Sequence, residues 1–189
     1  MRKSYDIDVH WVAFPLHPET PEDGLTLEQL FAGRSIHIQK ALTRLKHVAD
    51  ELGLPLGERK KTYNSRLAQE LAKWAESERK GAAFHEAVFR AYFVDGRNIG
   101  KVGELVTLAK SVGLSEEKAR SVLELRTFKE AVSSDWERSH SLGITGVPTF
   151  MVDNQATVGF QTYEDLVQFL KHCGVKKTEP VISLGEHLV

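Results

Sequence analysis

The single cysteine of this 189-residue chain, Cys173, limits the thiol chemistry that the chain can perform. One cysteine cannot form an internal disulfide, and disulfide exchange needs a second thiol to resolve the mixed disulfide. Cys173 ends the apolar stripe of a predicted C-terminal helix, where the helix dipole disfavours a negative charge. We therefore interpret Cys173 as a small core residue and expect no catalytic residue in this chain. A lone cysteine also agrees with a reducing cytoplasm, where we expect the protein to reside.

The eight histidines are scattered along the chain and lack the spacing of a metal site. The sequence contains no His-Glu-x-x-His motif and no cysteine partners for zinc, so we expect no metal. His85 and Glu86 are neighbours on a predicted helix, and we interpret them as an exposed pair rather than as an acid and a base. The glycines of the segment 96–103 join two predicted helices without a preceding strand, which argues against a phosphate-binding loop.

A proline, Pro148, stands at the start of a predicted strand near the C-terminus. Proline has no amide hydrogen to donate to a sheet, so it is tolerated at the start of a strand. An X-Pro bond also adopts the cis form at a cost of only about 0.5–1 kcal/mol. The β-branched and aromatic residues that follow, and the turn pair at 153–154, predict a hairpin over residues 147–160. The residues alone leave open whether Pro148 does more than shape this turn.

Strand patterns at the two ends of the chain enclose a long helical middle. The segment 5–14 alternates apolar and polar residues with a period of two, which predicts a strand. Apolar residues at helical spacing, with capping residues or glycines at the ends, predict helices in 26–33, 35–53, 64–81, 82–96, 98–113, from 115 onward, and in 127–143. Thr162 and Asp165 predict the start of a last helix that ends before Gly174. The fold class is therefore α/β with a helical insertion.

Composition excludes two kinds of partner. Lys and Arg number 25 against 26 Asp and Glu, so no general charge attracts nucleic acid or an anionic membrane. No apolar stretch approaches the roughly 18 residues that a membrane span needs. The basic triplet 59–61 is interpreted as a solvated loop.

Three segments of the chain, 5–24, 87–100 and 141–170, resemble the FrnE-like branch of the DsbA-type thiol-disulfide oxidoreductases. The resemblance implies a thioredoxin-like core into which an all-helical domain is inserted, and the family's activity is that of a protein disulfide oxidoreductase. Under this reading, the domains are the first part of the core (1–25), the helical insertion (26–126), the second part of the core with the hairpin (127–173) and a C-terminal tail (174–189).

The resemblance also implies a substrate site at the proline. In the family, the residue before a cis proline offers its backbone N–H and C=O to an extended substrate, a form of strand addition. That role falls on Val147, with Pro148 as the cis proline and Thr149 beside it. The expected partner is an extended peptide or a thiol substrate, and no cofactor is expected.

The chain departs from the family at its start. Members begin with a strand and a helix that carries a Cys-x-x-Cys motif, and this chain begins with a segment that resembles the second strand of the core. We therefore expect an incomplete core that lacks the first strand and helix, and a chain that cannot exchange disulfides by the family's route. The absent strand would lie between 5–14 and the hairpin, so unpaired strand edges could also make a homodimer.

Two other functions stay open on the sequence. The first is a redox-inactive, thioredoxin-like module that binds peptides. The second is a glutathione-dependent isomerase or transferase, because 2-hydroxychromene-2-carboxylate isomerases and kappa-class glutathione transferases resemble this architecture and use a serine in place of the leading cysteine. Glutathione would then be the cofactor.

Overall fold

The computed structural model describes residues 1, 4–33, 37–58 and 60–178. Over these residues the elements follow in the order β1 (Leu25–Thr26), α1 (Leu27–Leu30), α2 (Ile38–Glu51), β2 (Lys61–Thr62), α3 (Arg66–Ser77), α4 (Gly81–Phe93), α5 (Val102–Ser111), α6 (Glu116–Leu125), α7 (Lys129–Ser141), β3 (Thr149–Val152), β4 (Gln155–Val158) and α8 (Tyr163–His172). No described helix is both long enough and apolar enough to cross a membrane.

The chain divides into two compact units. Ala13–Arg138 forms one of them, which we call the helical unit. Met1–Val12 and the described part of Ser139–Val189 form the other, which we call the hairpin unit.

The core of the helical unit is built by the apolar stripes of α3, α4, α5 and α6. The side chains of Leu71, Phe84 and Leu105 are completely buried, and Trp74 is 5% exposed. These residues recur at helical spacing, so each helix turns one apolar face toward its neighbours. The stripes that the sequence predicts for α3, α4 and α5 are confirmed.

Capping residues set the ends of several of these helices. The Thr26 side chain accepts the Gln29 N–H, and the Gln29 side chain accepts the Thr26 N–H in return, which starts α1. The Ser115 hydroxyl accepts the Lys118 N–H at the start of α6. Helix α2 begins at Ile38 and is followed by Gly53 with φ of 65°; the predicted start at 35 lies outside the described residues.

A small ladder in the helical unit was not predicted. Strand β1 pairs antiparallel with β2, with Thr26 opposite Lys61. The Lys61 ammonium donates to the Asp23 carbonyl at 3.2 Å. The expectation of a loop at 59–61 is therefore wrong for Lys61, because its backbone pairs with β1; Arg59 lies outside the described residues.

The predicted strand over residues 5–14 is wrong for most of its length. Among the described residues, only Tyr5 of this segment lies in a β-bridge, an antiparallel one to Lys177, and the Asp6 N–H donates to the Lys176 carbonyl at 3.1 Å. Val9 and Trp11 are 40% and 45% exposed. Alternation gives a segment two distinct faces, but a strand also needs a neighbouring strand. Within the described residues this segment meets one only at its start, whereas at its end the Ala13 N–H donates to the Asp135 carboxylate at 2.8 Å.

The hairpin and the last helix of the hairpin unit form as predicted. Strands β3 and β4 pair antiparallel around Asp153, which has φ of 51°, and Asn154. Helix α8 begins with a capping box of Thr162 and Asp165. Of the predicted tail, 179–189 lies outside the described residues, whereas the Thr178 N–H donates to the Ser4 carbonyl at 3.2 Å.

Candidate functional site

The register of the hairpin decides which backbone groups of β3 are paired and which face outward. The Gly159 N–H donates to the Pro148 carbonyl at 2.8 Å, so these two residues form a hydrogen-bonded pair. In an antiparallel ladder, hydrogen-bonded pairs alternate with pairs that are not bonded to each other. The next pair, Thr149 with Val158, is therefore not bonded across the ladder, and neither is Met151 with Ala156. The N–H and C=O groups of Thr149 and Met151 point away from β4, along the outer edge of β3.

The three residues that the family resemblance selects lie in the loop that leads into this edge and at the first position of β3. The Val147–Pro148 peptide bond is cis, and Val147 is 46% exposed. The Thr149 hydroxyl donates to the Gly146 carbonyl at 2.7 Å. Thr149 therefore serves the site in two ways, because its side chain fixes the preceding turn and its backbone begins the outer edge of β3.

Apolar side chains surround this edge on both faces of the hairpin. Side chains alternate between faces along a strand, so Met151 and Val158 share one face and Phe150 lies on the other. Met151 and Phe150 are each 36% exposed, and Val158 and Phe160 are each 63% exposed. No described residue of β3 or β4 is buried. An exposed apolar surface of this kind, next to free backbone groups, is typical of an interaction site.

The single cysteine belongs to the end of α8 and not to the hairpin. Cys173 caps the C-terminal end of α8, where its N–H donates to the Phe169 carbonyl at 3.0 Å, and its side chain is half-buried. The predicted position at the C-terminal end of the last helix is confirmed, but Cys173 is half-buried and not a core residue.

The interpretation of His85 and Glu86 as an exposed pair is wrong for His85. The side chain of His85 is only 18% exposed, and its Nε2 lies 3.2 Å from Oε1 of Glu76, on the preceding helix. Sequence spacing within α4 could not reveal this partner, because Glu76 belongs to α3.

A buried carboxylate in the helical unit was also missed. Glu70 on α3 is fully buried, and its two oxygens accept hydrogen bonds from Arg126 and Arg66, each at 2.7 Å. Burial alone would raise the pKa of Glu70, but the hydrogen bonds from the two guanidinium groups outweigh it and lower the pKa below its ordinary value. Arg66 also lies over the ring of Trp136, with 4.3 Å between the guanidinium carbon and the ring centroid. This cluster joins α3 to the segment around α7, and its role is structural.

Comparison with known proteins gives one family match and one similar curated protein. Residues 1–171 match the family of DSBA-like thioredoxin domains. The chain is similar to the uncharacterized protein YwbO of Bacillus subtilis (strain 168), with 27% identity over 160 residues that cover 83% of this chain and 78% of YwbO.

Two solved structures share the fold. A probable DsbA oxidoreductase from Streptomyces coelicolor superposes with a TM-score of 0.78 and 26% identity, over 90% of this chain and 77% of that one. The cytosolic disulfide reductase DsbM from Pseudomonas aeruginosa superposes with a TM-score of 0.53 and 20% identity, over 71% of this chain and 75% of that one. At that identity, the second likeness bears on the fold alone.

Proposed function

Since this chain belongs to the family of DSBA-like thioredoxin domains, which place a helical insertion in an α/β core, we propose that the outer edge of β3 binds an extended peptide segment. The bound segment would be a substrate of thiol-disulfide chemistry, the activity of the oxidoreductase relatives. The observation that carries this proposal is the outward direction of the Thr149 and Met151 backbone groups, directly after the Val147–Pro148 loop.

The backbone of the edge supplies the affinity in this proposal. An extended peptide that adds to a sheet edge forms main-chain hydrogen bonds whatever its sequence, so such a site accepts many substrates. Thr149 and Met151 offer donors and acceptors two residues apart, which matches the repeat of an added strand. Val147 stands at the end of the same edge, and we assign to its backbone the contact nearest to the reacting thiol of the substrate.

The exposed apolar side chains supply a second contribution. Side chains of a bound strand would alternate toward Met151 on one face and Phe150 on the other. Burial of apolar surface contributes about 25 cal/mol per Å², so apolar residues in the peptide strengthen binding. Peptides from unfolded proteins, which expose such residues, fit this surface better than folded proteins do.

We further propose that the 189-residue polypeptide binds its substrate without exchanging disulfides by itself. Its sequence contains one cysteine, and a single thiol cannot complete the exchange. We place the chain in the FrnE-like branch and in the cytoplasm, in line with the single cysteine.

Binding to a short peptide of alternating Val and Thr residues, labelled with fluorescein, tests this proposal by fluorescence anisotropy. We expect saturable binding to the wild-type chain and a loss of at least about tenfold in affinity for Met151→Pro, which removes an outward N–H. Proline is tolerated at an edge position whose N–H is not used in the ladder, so the variant should fold. Ala156→Pro, which removes an outward N–H from the opposite edge, is the matched control and should bind normally.

Three results would contradict the proposal. They are equal binding by Met151→Pro and wild type, equal weakening by both proline variants, and unchanged binding of a peptide whose amides are N-methylated. Displacement of the peptide by glutathione, with tighter binding of glutathione than of the peptide, would favour the glutathione-dependent function instead. For the chain alone, we expect that the wild type reduces insulin no faster than the Cys173→Ser variant does. Insulin reduction that depends on Cys173 would refute the claim that the chain does not exchange disulfides.

A further inference from the structure

Helix α2 of the helical unit exposes an apolar stripe that its spacing would normally bury. Of its 14 residues only Ala49 is buried. Leu45 is 46% exposed, and Leu52, which directly follows the helix, is 53% exposed, whereas Ile38, Leu42 and Val48 are half-buried. The described helices that pack side by side are α3, α4, α5 and α6, so α2 lies outside the main core of its unit. An amphipathic helix whose apolar side is only partly covered gains stability when a partner covers the rest of that side.

The stripe has the spacing of a helix-pairing seam. Ile38, Leu45 and Leu52 are seven residues apart, and Ala41 and Val48 fall between them at the second core position of a heptad. A seam with this repeat keeps its apolar residues facing one partner helix along its length. The feature that covers α2 is therefore expected to be another helix rather than a strand or a loop.

We propose that α2 pairs antiparallel with α2 of a second copy of this chain. The charges beside the seam identify the partner. Arg44 lies near the middle of the helix and Glu51 at its end, both at positions that flank the seam, whereas Lys40 and Asp50 lie farther from it. Arg44 and Glu51 are seven residues apart and occupy the same side of the seam. An antiparallel pair places Arg44 of one copy beside Glu51 of the other, twice by symmetry, whereas a parallel pair places Arg44 beside Ala49 of the other copy and forms no such ion pair.

The groups needed for these contacts are accessible. Neither Lys40 nor Arg44 has an ion-pair partner among the described residues. Glu51 lies 3.3 Å from His47 of its own helix, and the side chains are 62% and 72% exposed. An exposed contact of this kind contributes little, so it does not hold Glu51 away from a second copy. Opposed helix dipoles also favour the antiparallel arrangement.

The length of the seam determines how tightly two copies are expected to bind. A 14-residue helix is about 21 Å long, so the seam contains only a few apolar layers. Such an interface falls at the small end of specific protein contacts. We therefore expect a reversible dimer with a dissociation constant on the order of 10 µM.

Sedimentation velocity on the whole chain, from about 1 to 200 µM, brackets that constant and tests the proposal. Arg44→Glu and Glu51→Arg should each weaken dimerisation by at least about tenfold, and the double variant should recover it, because the charges are exchanged as a pair. Leu45→Ser should also weaken the dimer. Leu125→Ser, which alters a 74% exposed leucine on α6, is the matched control and should leave the dimer intact. Circular dichroism on each variant checks that α2 and the helical unit remain folded.

Other partners for the apolar stripe of α2 would give different experimental results. A chain that stays monomeric up to the highest concentration overturns the proposal, as does a double variant that remains as weak as the single ones. A dimer lost in Met151→Pro but kept in Leu45→Ser would place the contact at the hairpin edge. Binding of the wild type, but not of Leu45→Ser, to anionic lipid vesicles without any dimer would assign the stripe to a membrane surface. None of these results depends on peptide binding at β3, so the two proposals can fail separately.

Discussion

The helical unit and the hairpin unit bury their apolar residues to very different extents. In the helical unit, helices α3 to α6 share a continuous core whose central residues, such as Leu71 and Phe84, have no exposed surface. In the hairpin unit, Tyr5 and Leu170 are the buried hydrophobic residues among those that the structure describes. The hairpin itself is apolar in sequence but open on both faces.

This difference assigns stability mainly to the helical core and recognition to the hairpin unit. A core of interlocking helices satisfies its own backbone and buries its own apolar surface, so it needs no partner. A two-stranded hairpin leaves its outer backbone groups unpaired and is marginal by itself. In the hairpin unit these interactions are therefore still incomplete, and its outer edge next to Val147 is where we propose that peptides bind.

The largest difference in stability is expected when a phenylalanine is replaced by alanine in each of the two units. Phe84→Ala removes a fully buried ring and should lower the free energy of unfolding by about 3–5 kcal/mol. Phe150→Ala removes a ring that is 36% exposed and should lower it by less than about 1 kcal/mol. Urea unfolding followed by circular dichroism measures both. Equal losses would mean that the hairpin is as tightly packed as the helical core.

Glu70→Gln should have the next largest effect, because it leaves Arg66 and Arg126 facing an uncharged partner. We expect a loss of about 2–3 kcal/mol, less than for a fully buried pair because the Arg126 side chain is 41% exposed. Glu130→Gln, on α7, is a matched control that should change stability little. A loss in Glu70→Gln no larger than in this control would show that the cluster does not stabilise the unit.

The same carboxylate predicts how stability depends on pH. The pKa of Glu70 is lower in the folded chain than in the unfolded one, so its contribution is complete above the ordinary glutamate value of about 4.3 and is lost as pH falls below it. Urea midpoints measured between about pH 7 and pH 3 should therefore fall less steeply in Glu70→Gln than in wild type. Parallel pH curves for the two proteins would contradict this assignment.

A smaller effect is expected at the turn before β3. Thr149→Val keeps the shape of the side chain but removes the hydroxyl that donates to the Gly146 carbonyl, which should cost about 1 kcal/mol. The matched control is Thr157→Val on β4, whose hydroxyl makes no hydrogen bond within the described residues. Amide hydrogen exchange within the hairpin measures the change. Faster exchange in both variants, or in neither, would show that the Thr149 hydroxyl does not position the turn.

Local signals in the sequence were sufficient for most of the fold. Helical periodicity and capping residues such as Thr26 and Ser115 act within a few residues, so they identified the helices of the helical unit and the start of α8. The hairpin was predictable for the same reason, since its turn pair and its strands are adjacent in the chain. The family resemblance then placed the candidate site at Val147, Pro148 and Thr149.

Interactions between distant residues could not be predicted in this way. The segment 5–14 has the alternation of a strand, but among the described residues it forms a β-bridge only at Tyr5, with Lys177. Glu70 is charged and lies on the buried face of the amphipathic helix α3, and its carboxylate is paired with Arg126, which is 56 residues away. Periodicity reports which face a residue occupies and carries no information on what lies opposite that face.

The most direct test of the peptide-binding edge is an amide-resolved NMR titration of the wild-type chain with the unlabelled Val and Thr peptide. If the peptide adds to β3, the amide signals of Thr149 and Met151 should shift and become protected from exchange, while those of Ala156 and Val158 on the opposite edge should not. Shifts at Ala156 and Val158 alone, or shifts confined to the helical unit, would contradict the assignment of the binding site to the outer edge of β3.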